Sequence, residues 1–184
     1  MARCLRAICF DFGDTLADEA TEVKDESGTT LRAELIPGAA EMLRELKRRG
    51  YPLALVADGR PGTYTNVLGQ HGVLDLFDVL TVSELVGCEK PDARMFVTAL
   101  DHLGIPPADY GRTVMVGNNL ERDIKGANLV GMVSLWIDWA PRRSKTPADA
   151  LEVPAYTIQL PLEVLPIVER LERDCPPGRI QPTP

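Results

Sequence analysis

The chain has 184 residues, enough for one well-packed domain and short for two. Its net charge of −7 excludes a general nucleic-acid binder, which presents a basic patch. It also means that a small anionic substrate needs a local positive site, because the overall field repels it. With 45% hydrophobic and 26% charged residues the composition is that of an ordinary globular protein. No stretch approaches the ~20 apolar residues of a membrane span. The N-terminal MARCLRAICFDF lacks the apolar run of a signal peptide. A cytoplasmic protein is expected, with neither nucleic acid nor membrane as partner. Cys4, Cys9, Cys88 and Cys175 form no CxxC pair and read as reduced structural thiols. With His71 and His102 as the only histidines, a histidine-rich zinc site is excluded.

In chain order, Ala7 to Phe12 predicts a short buried strand ending in the loop Gly13-Asp14-Thr15. In the polar stretch that follows, residues 23–29 predict a hairpin flap turning near Ser27-Gly28. Pro37-Gly38 opens a helix whose Ala39, Met42, Leu43 and Leu46 share one face, and Gly50 stops it. Leu53 to Ala57 is the second strand, followed by the turn 58–62 and a helix from about Thr63 to Gln70. Val79 to Val82 is a strand, and Asp92 caps a helix with Phe96, Val97, Leu100 and Leu103 on one face. Further strands are expected at Thr113 to Val116 and Val133 to Ile137, with a short helix from Asp123 to Leu129 between them. Tyr156 to Gln159 is a last edge strand. Pro166 suits the first position of a final helix reaching Arg173. The proline-rich tail, residues 176–184, is expected to be loose.

Apolar strands alternating with amphipathic helices predict a doubly wound parallel α/β sheet. Ligands of such sheets bind beyond the carboxyl ends of the strands. Four segments fall there: FDFGDTL (10–16), LVADG (55–59), EKPD (89–92) and VGNNLERD (116–123). A carboxylate at Asp11 can attack phosphorus. Thr15 can donate its hydroxyl to the phosphoryl group or to Asp11, and Lys90 can offset their charge. Asn118, Asp123 and the Gly13 carbonyl, with Asp11, offer oxygens suited to a hard cation such as Mg²⁺. The turn Asp58-Gly59-Arg60 is the expected substrate-binding segment. Taken singly, Asp123 also reads as a helix N-cap, and Asn118-Asn119 as turn residues.

In this order and spacing the chain resembles the haloacid dehalogenase-like superfamily of hydrolases. FDFGDTL, EKPDARMF and VGNNLERDIKGANLVGM carry the resemblance, which spans Ala7 to about Leu171. It implies a Rossmann-like sheet, a nucleophile at Asp11, a supporting lysine at Lys90, acidic-loop positions at Asn118 and Asp123, and a Mg²⁺-dependent phosphatase. The chain departs from the DxDxT pattern at Gly13, where the family has the aspartate that serves as general acid and base. Ala57 replaces the Ser or Thr after the second strand, and Asn118 replaces an Asp. Losing the acid slows departure of an alkoxide by ~10²–10⁴-fold, so Gly13→Asp is expected to raise turnover of alkyl phosphates. Residues 16–36 allow a small flap but no large cap domain, and residues 1–175 read as one α/β domain. The expected activity is a phosphohydrolase working through an aspartyl-phosphate on Asp11 and attenuated at Gly13. Its substrate is a small phosphorylated molecule or a phosphorylated macromolecule. The alternatives are a non-catalytic binding or regulatory module on the same fold, and a metal-independent dehalogenase. The loop 136–143 is expected to bury Trp136 and solvate Arg142 and Arg143, with contact to a substrate or partner as the alternative. Trp136 and Trp139 leave homo-oligomerisation open.

Overall fold

The computed structural model describes residues 3–174. The tail 176–184 and Cys175 lie outside the described residues. The chain begins with β1 (Ala7–Phe10), the hairpin strands β2 (Val23–Lys24) and β3 (Thr30–Arg32), α1 (Ala39–Arg48), β4 (Leu53–Ala57) and α2 (Pro61–Gln70). It continues through β5 (Val79–Val82), α3 (Ser83–Val86), α4 (Ala93–His102) and β6 (Thr113–Gly117). A wide turn (Leu120–Ile124) runs into α5 (Lys125–Val130). Then come β7 (Val133–Ile137), β8 (Tyr156–Ile158) and α6 (Val164–Asp174).

Six strands pair in the order β5-β4-β1-β6-β7-β8, all parallel. Their side chains alternate between two cores, as the period of two in a strand requires. Ile8, Phe10, Leu53, Leu55, Val114 and Val116 face α1, α2 and α6. Ala7, Cys9, Ala54, Val56 and Met115 face α4 and α5. Helices therefore cover both faces, and the doubly wound, Rossmann-like architecture read from the sequence is the one observed. The strand order reverses at β1: the chain leaves β1 for β4 and β5 on one side and returns to β6 on the other. The crevice beyond β1 and β6 is thus the switch point where such sheets bind ligands.

Several element ends differ from expectation for local reasons. β1 stops at Phe10, although the Asp11 N–H still bonds the Val116 carbonyl at 2.9 Å. α2 starts two positions before Thr63, with Pro61 at its first position, where a missing N–H is harmless. α6 likewise begins before Pro166, which sits in its first turn. The helix expected from Asp123 to Leu129 forms but starts two residues later, at Lys125, behind a wide turn capped by Asn119, whose Oδ1 accepts from the N–H groups of Glu121 (3.0 Å) and Arg122 (3.2 Å). Asp123 is therefore not the cap. The hairpin forms as expected: its turn is tied by Asp25 Oδ1, which accepts from the N–H groups of Ser27 and Thr29, and Gly28 has φ 84°. β3 lies along α2, with the Thr30 N–H bonded to Thr63 Oγ1 (3.0 Å) and the Asn66 amide to the Thr30 carbonyl (3.0 Å).

Cys9 and Cys88 are free thiols, and burial pushes the Cys9 thiol up to about 12. Cys4 is disulfide-bonded, which corrects the expectation of four reduced thiols. Sequence spacing carries no information on which sulfurs the fold brings together. Among the described residues no helix is long and apolar enough to cross a membrane.

Candidate active site

The three strand-end groups expected to meet do meet. Lys90 Nζ donates to Asp11 Oδ1 at 2.6 Å, to Asp123 Oδ1 at 2.7 Å and to the Val56 carbonyl at 2.9 Å. Each partner ends or follows a different strand, β1, β6 and β4, so one ammonium ties the central strands of the sheet at their carboxyl edge. Asp123 Oδ2 accepts from the Asn119 N–H at 3.0 Å. Gly117 makes this approach possible: a Cβ there would overlap Cβ, Cγ and Oδ2 of Asp123. Burial and the neighbouring Asp11 charge raise the Asp123 carboxyl above the ordinary range, against the opposing ammonium. Burial works against the charge on Lys90, but Asp11, Asp123 and Asp58 outweigh it and the net shift is upward.

The cluster forms the floor of a cavity of about 320 Å³. The Asp11 side chain is 13% exposed there, whereas those of Lys90 and Asp123 are 2% and 1% exposed. The hairpin lends Glu22, Lys24, Gly28 and Thr30 to the wall. The remaining wall includes Gly13, Glu19, Ala57 to Arg60, Asn118, Arg122 and Arg143. Thr15 lies buried behind Asp11 and donates its hydroxyl to Asp11 Oδ2 at 3.2 Å. Asp11 is one of the two acceptors open to Thr15 on the sequence.

Asp58 does not present a bare charge. Its Oδ1 accepts from the Lys90 N–H at 3.0 Å and its Oδ2 from Arg122 Nη1 at 3.0 Å, and Arg122 also reaches Glu89 at 3.3 Å. The cation paired with Asp58 is thus Arg122, while Arg60 is exposed on the rim of the cavity. The Gly59 N–H donates to Ser83 Oγ at 2.9 Å. Arg122 was hidden inside the acidic-loop string, where nothing in sequence distinguished it from a solvated charge.

Asp14 is fully buried, at a φ of 51°, and does not line the cavity. Arg142 grips it with Nε and Nη2, each at 2.5 Å. Arg142 stays exposed, as expected, and in addition serves Asp14: a buried carboxylate needs a partner, and the fold supplies this one from far along the chain. Arg143 lines the cavity. Trp136 is buried and donates Nε1–H to the Asn118 carbonyl at 2.9 Å, and Trp139 packs on the core. Trp139 remains partly exposed.

The donor set is one of hard oxygens: the carboxylates of Asp11 and Asp123, the amide of Asn118 and the Gly13 carbonyl. Among the described residues no cluster of three His, Cys, Asp or Glu could hold a metal by itself. Asn118 is buried and its Nδ2 has no partner, and turning the amide over would direct Oδ1 to that point. These groups fit a Mg²⁺ ion that keeps part of its water shell.

A family model for haloacid dehalogenase-like hydrolases matches residues 20–131, and the chain belongs to that family. It is 32% identical over 138 residues to a glyceraldehyde 3-phosphate phosphatase of Methanopyrus kandleri, covering 75% of this chain and 58% of that protein. It is 37% identical over 107 residues to a phosphoserine phosphatase of Thermus thermophilus, covering 58% and 42%. The structure resembles a HAD phosphatase from Thermococcus onnurineus with a TM-score of 0.73 at 21% identity, covering 89% of this chain and 98% of that one, a likeness of fold. The chain spans about half the length of the curated relatives it matches.

Proposed function

We propose that the chain is a phosphohydrolase of its family, acting on small phosphomonoesters through an aspartyl-phosphate on Asp11. The observation that carries the reading is the Lys90 ammonium bridging Asp11 and Asp123 beneath a cavity in which Asp11 remains accessible. The cavity volume, about 320 Å³, suits a small ligand. Two of its relatives are named for small phosphorylated substrates.

In this reading Asp11 attacks phosphorus, and Thr15 and Lys90 hold its carboxylate in place through their hydrogen bonds. Lys90 also offsets charge building on the phosphoryl oxygens. Asp11, Asn118, Asp123 and the Gly13 carbonyl would hold Mg²⁺, which when bound supplies positive charge for the phosphoryl group. The hairpin and Arg60, Arg122 and Arg143 border the entrance. With no side chain at position 13 and no hydroxyl at Ala57, this machinery is leaner than the family pattern.

The test is turnover of p-nitrophenyl phosphate and acetyl phosphate with Mg²⁺, beside Asp11→Asn. The variant is expected to lose about 10³-fold or more in kcat. Equal activity in both proteins would refute a nucleophile at Asp11. Inactivity in both would favour a binding module.

A further inference from the structure

The carboxyl group of Glu19 lies where a side chain at residue 13 would project. A Cβ on Gly13 would overlap Glu19 Oε1 and stand 2.7 Å from its Cδ and 2.9 Å from its Cγ. Several contacts hold the carboxyl there. Glu19 opens a short 3₁₀ turn (Glu19–Thr21) whose cap, Asp18, accepts from the Ala20 N–H at 2.9 Å. The Glu19 N–H donates to Asp14 Oδ1 at 3.2 Å, so the buried Asp14 folds the loop back over Gly13. Arg142, already gripping Asp14, reaches Glu19 at 3.4 Å, and Arg143 reaches it at 3.7 Å. Asp11, Gly13 and Glu19 line the same cavity.

We propose that Glu19 is the general acid and base of the reaction, reaching from the flap into the volume that Gly13 leaves empty. The inference rests on the phosphohydrolase reading above. In the first step an Asp11 oxygen bonds to phosphorus and the bond from phosphorus to the leaving oxygen breaks. That oxygen keeps the electron pair and takes the proton of the Glu19 carboxyl. In the second, the Glu19 carboxylate removes a proton from water, whose oxygen bonds to phosphorus as the bond to Asp11 breaks. Asp11 returns as carboxylate, inorganic phosphate leaves, and Glu19 is protonated again. Asp14 and Arg142 are positioning residues in this scheme.

A Glu19 in this role cancels the expectation for Gly13→Asp. The new side chain would displace the Glu19 carboxyl and take its place, so the single variant is expected to gain no alkyl turnover over the unmodified protein. The deciding experiment compares kcat/KM of Glu19→Gln for glycerol 2-phosphate and p-nitrophenyl phosphate, because kcat/KM reports the step in which the leaving group departs. An acid matters most for a basic alkoxide. The alkyl substrate is expected to lose roughly 10²–10⁴-fold and the aryl substrate less than about tenfold. A burst of nitrophenol, one equivalent per enzyme, is expected as the acyl phosphate waits for its base. Equal losses on both substrates, or none, would overturn the role of Glu19 while leaving that of Asp11 intact. Absence of any Asp11-dependent turnover in the unmodified protein would overturn both. A second variant guards against a mere packing effect. Gly13 has no positive φ, so Gly13→Asp added to Glu19→Ala is expected to recover alkyl turnover lost in Glu19→Ala alone. Failure to recover counts against the proposal.

Discussion

Replacing Lys90 by methionine keeps most of the side-chain volume and removes the ammonium that binds three strand ends together. Nζ sits 2.6 Å from one carboxylate and 2.7 Å from another, and its side chain and that of Asp123 are almost wholly buried. Solvent cannot take over at Asp123. Breaking a buried pair by removing one partner costs about 3–5 kcal/mol, and in a chain of this size that lowers Tm by roughly 10 °C or more. The loss has a definite pH dependence. Burial and Asp11 already raise the Asp123 carboxyl, and Lys90 opposes them, so the variant raises it further. A carboxyl raised in the folded state binds a proton that the unfolded chain has released, and stability then falls as pH rises. Because the unfolded value is common to both proteins and Asp123 is already raised in the unmodified one, the deficit is expected to be small at acid pH and to grow from the pH at which the unmodified Asp123 ionises to the variant's still higher value. Urea unfolding of both proteins at pH 5 and pH 8, in EDTA so that no cation replaces the ammonium, measures it. A deficit under about 1 kcal/mol at pH 8 would refute the reasoning, since a buried carboxylate left without its counter-charge costs several times that. An equal deficit at both pH values would also refute it.

Gly117→Ala places a methyl group on Asp123. It is expected to reduce stability by about 1–3 kcal/mol and to cut phosphatase turnover more than that loss of folded protein explains. Full activity in the folded variant would show that Asp123 need not sit against β6. Asn118→Asp adds a third carboxylate near one ammonium. It is expected to destabilise the metal-free protein and to strengthen the rise in Tm on adding Mg²⁺, as ligand linkage requires. An unchanged Mg²⁺ response would remove Asn118 from the ion's surroundings.

The sheet was legible because its strands are buried on both faces and read as short apolar runs: Leu53–Ala57 and Val133–Ile137 fall where the pattern places them. The floor of the site was legible for a related reason, since Asp11, Lys90 and Asp123 follow those runs in the loops at their carboxyl ends. The walls were not. Glu19, Arg122 and Arg142 are charged residues on irregular backbone, and a charge in a loop has no periodicity to betray its direction. Arg142 lies 128 positions from the carboxylate it grips. The wide turn at Leu120–Ile124 was also invisible, because its sequence satisfies an ordinary helix. It is the closeness of Asp123 to Gly117, a tertiary demand, that accompanies the departure.

The electrostatics of the cavity tie these substitutions together. Asp11, Glu19, Glu22, Asp58 and Asp123 face Lys24, Arg60, Lys90, Arg122 and Arg143, an even balance of five against five in a chain whose net charge is −7. On the floor, however, two carboxylates share one ammonium, so on the proposed reading a phosphate dianion would meet a net negative surface. Relative to the family pattern, Gly13 and Asn118 each remove one carboxylate from that floor. On the proposed reading Glu19 restores one from the flap, in a place where Arg142 and Arg143 stand 3.4 and 3.7 Å away. The acid is thereby moved off the crowded strand end to a position with its own counter-charges. Less negative charge then remains next to the phosphorus for Mg²⁺ and Lys90 to offset. A site arranged this way asks less of its cation than the family pattern does, which is a reason for the Asp to be dispensable at position 118.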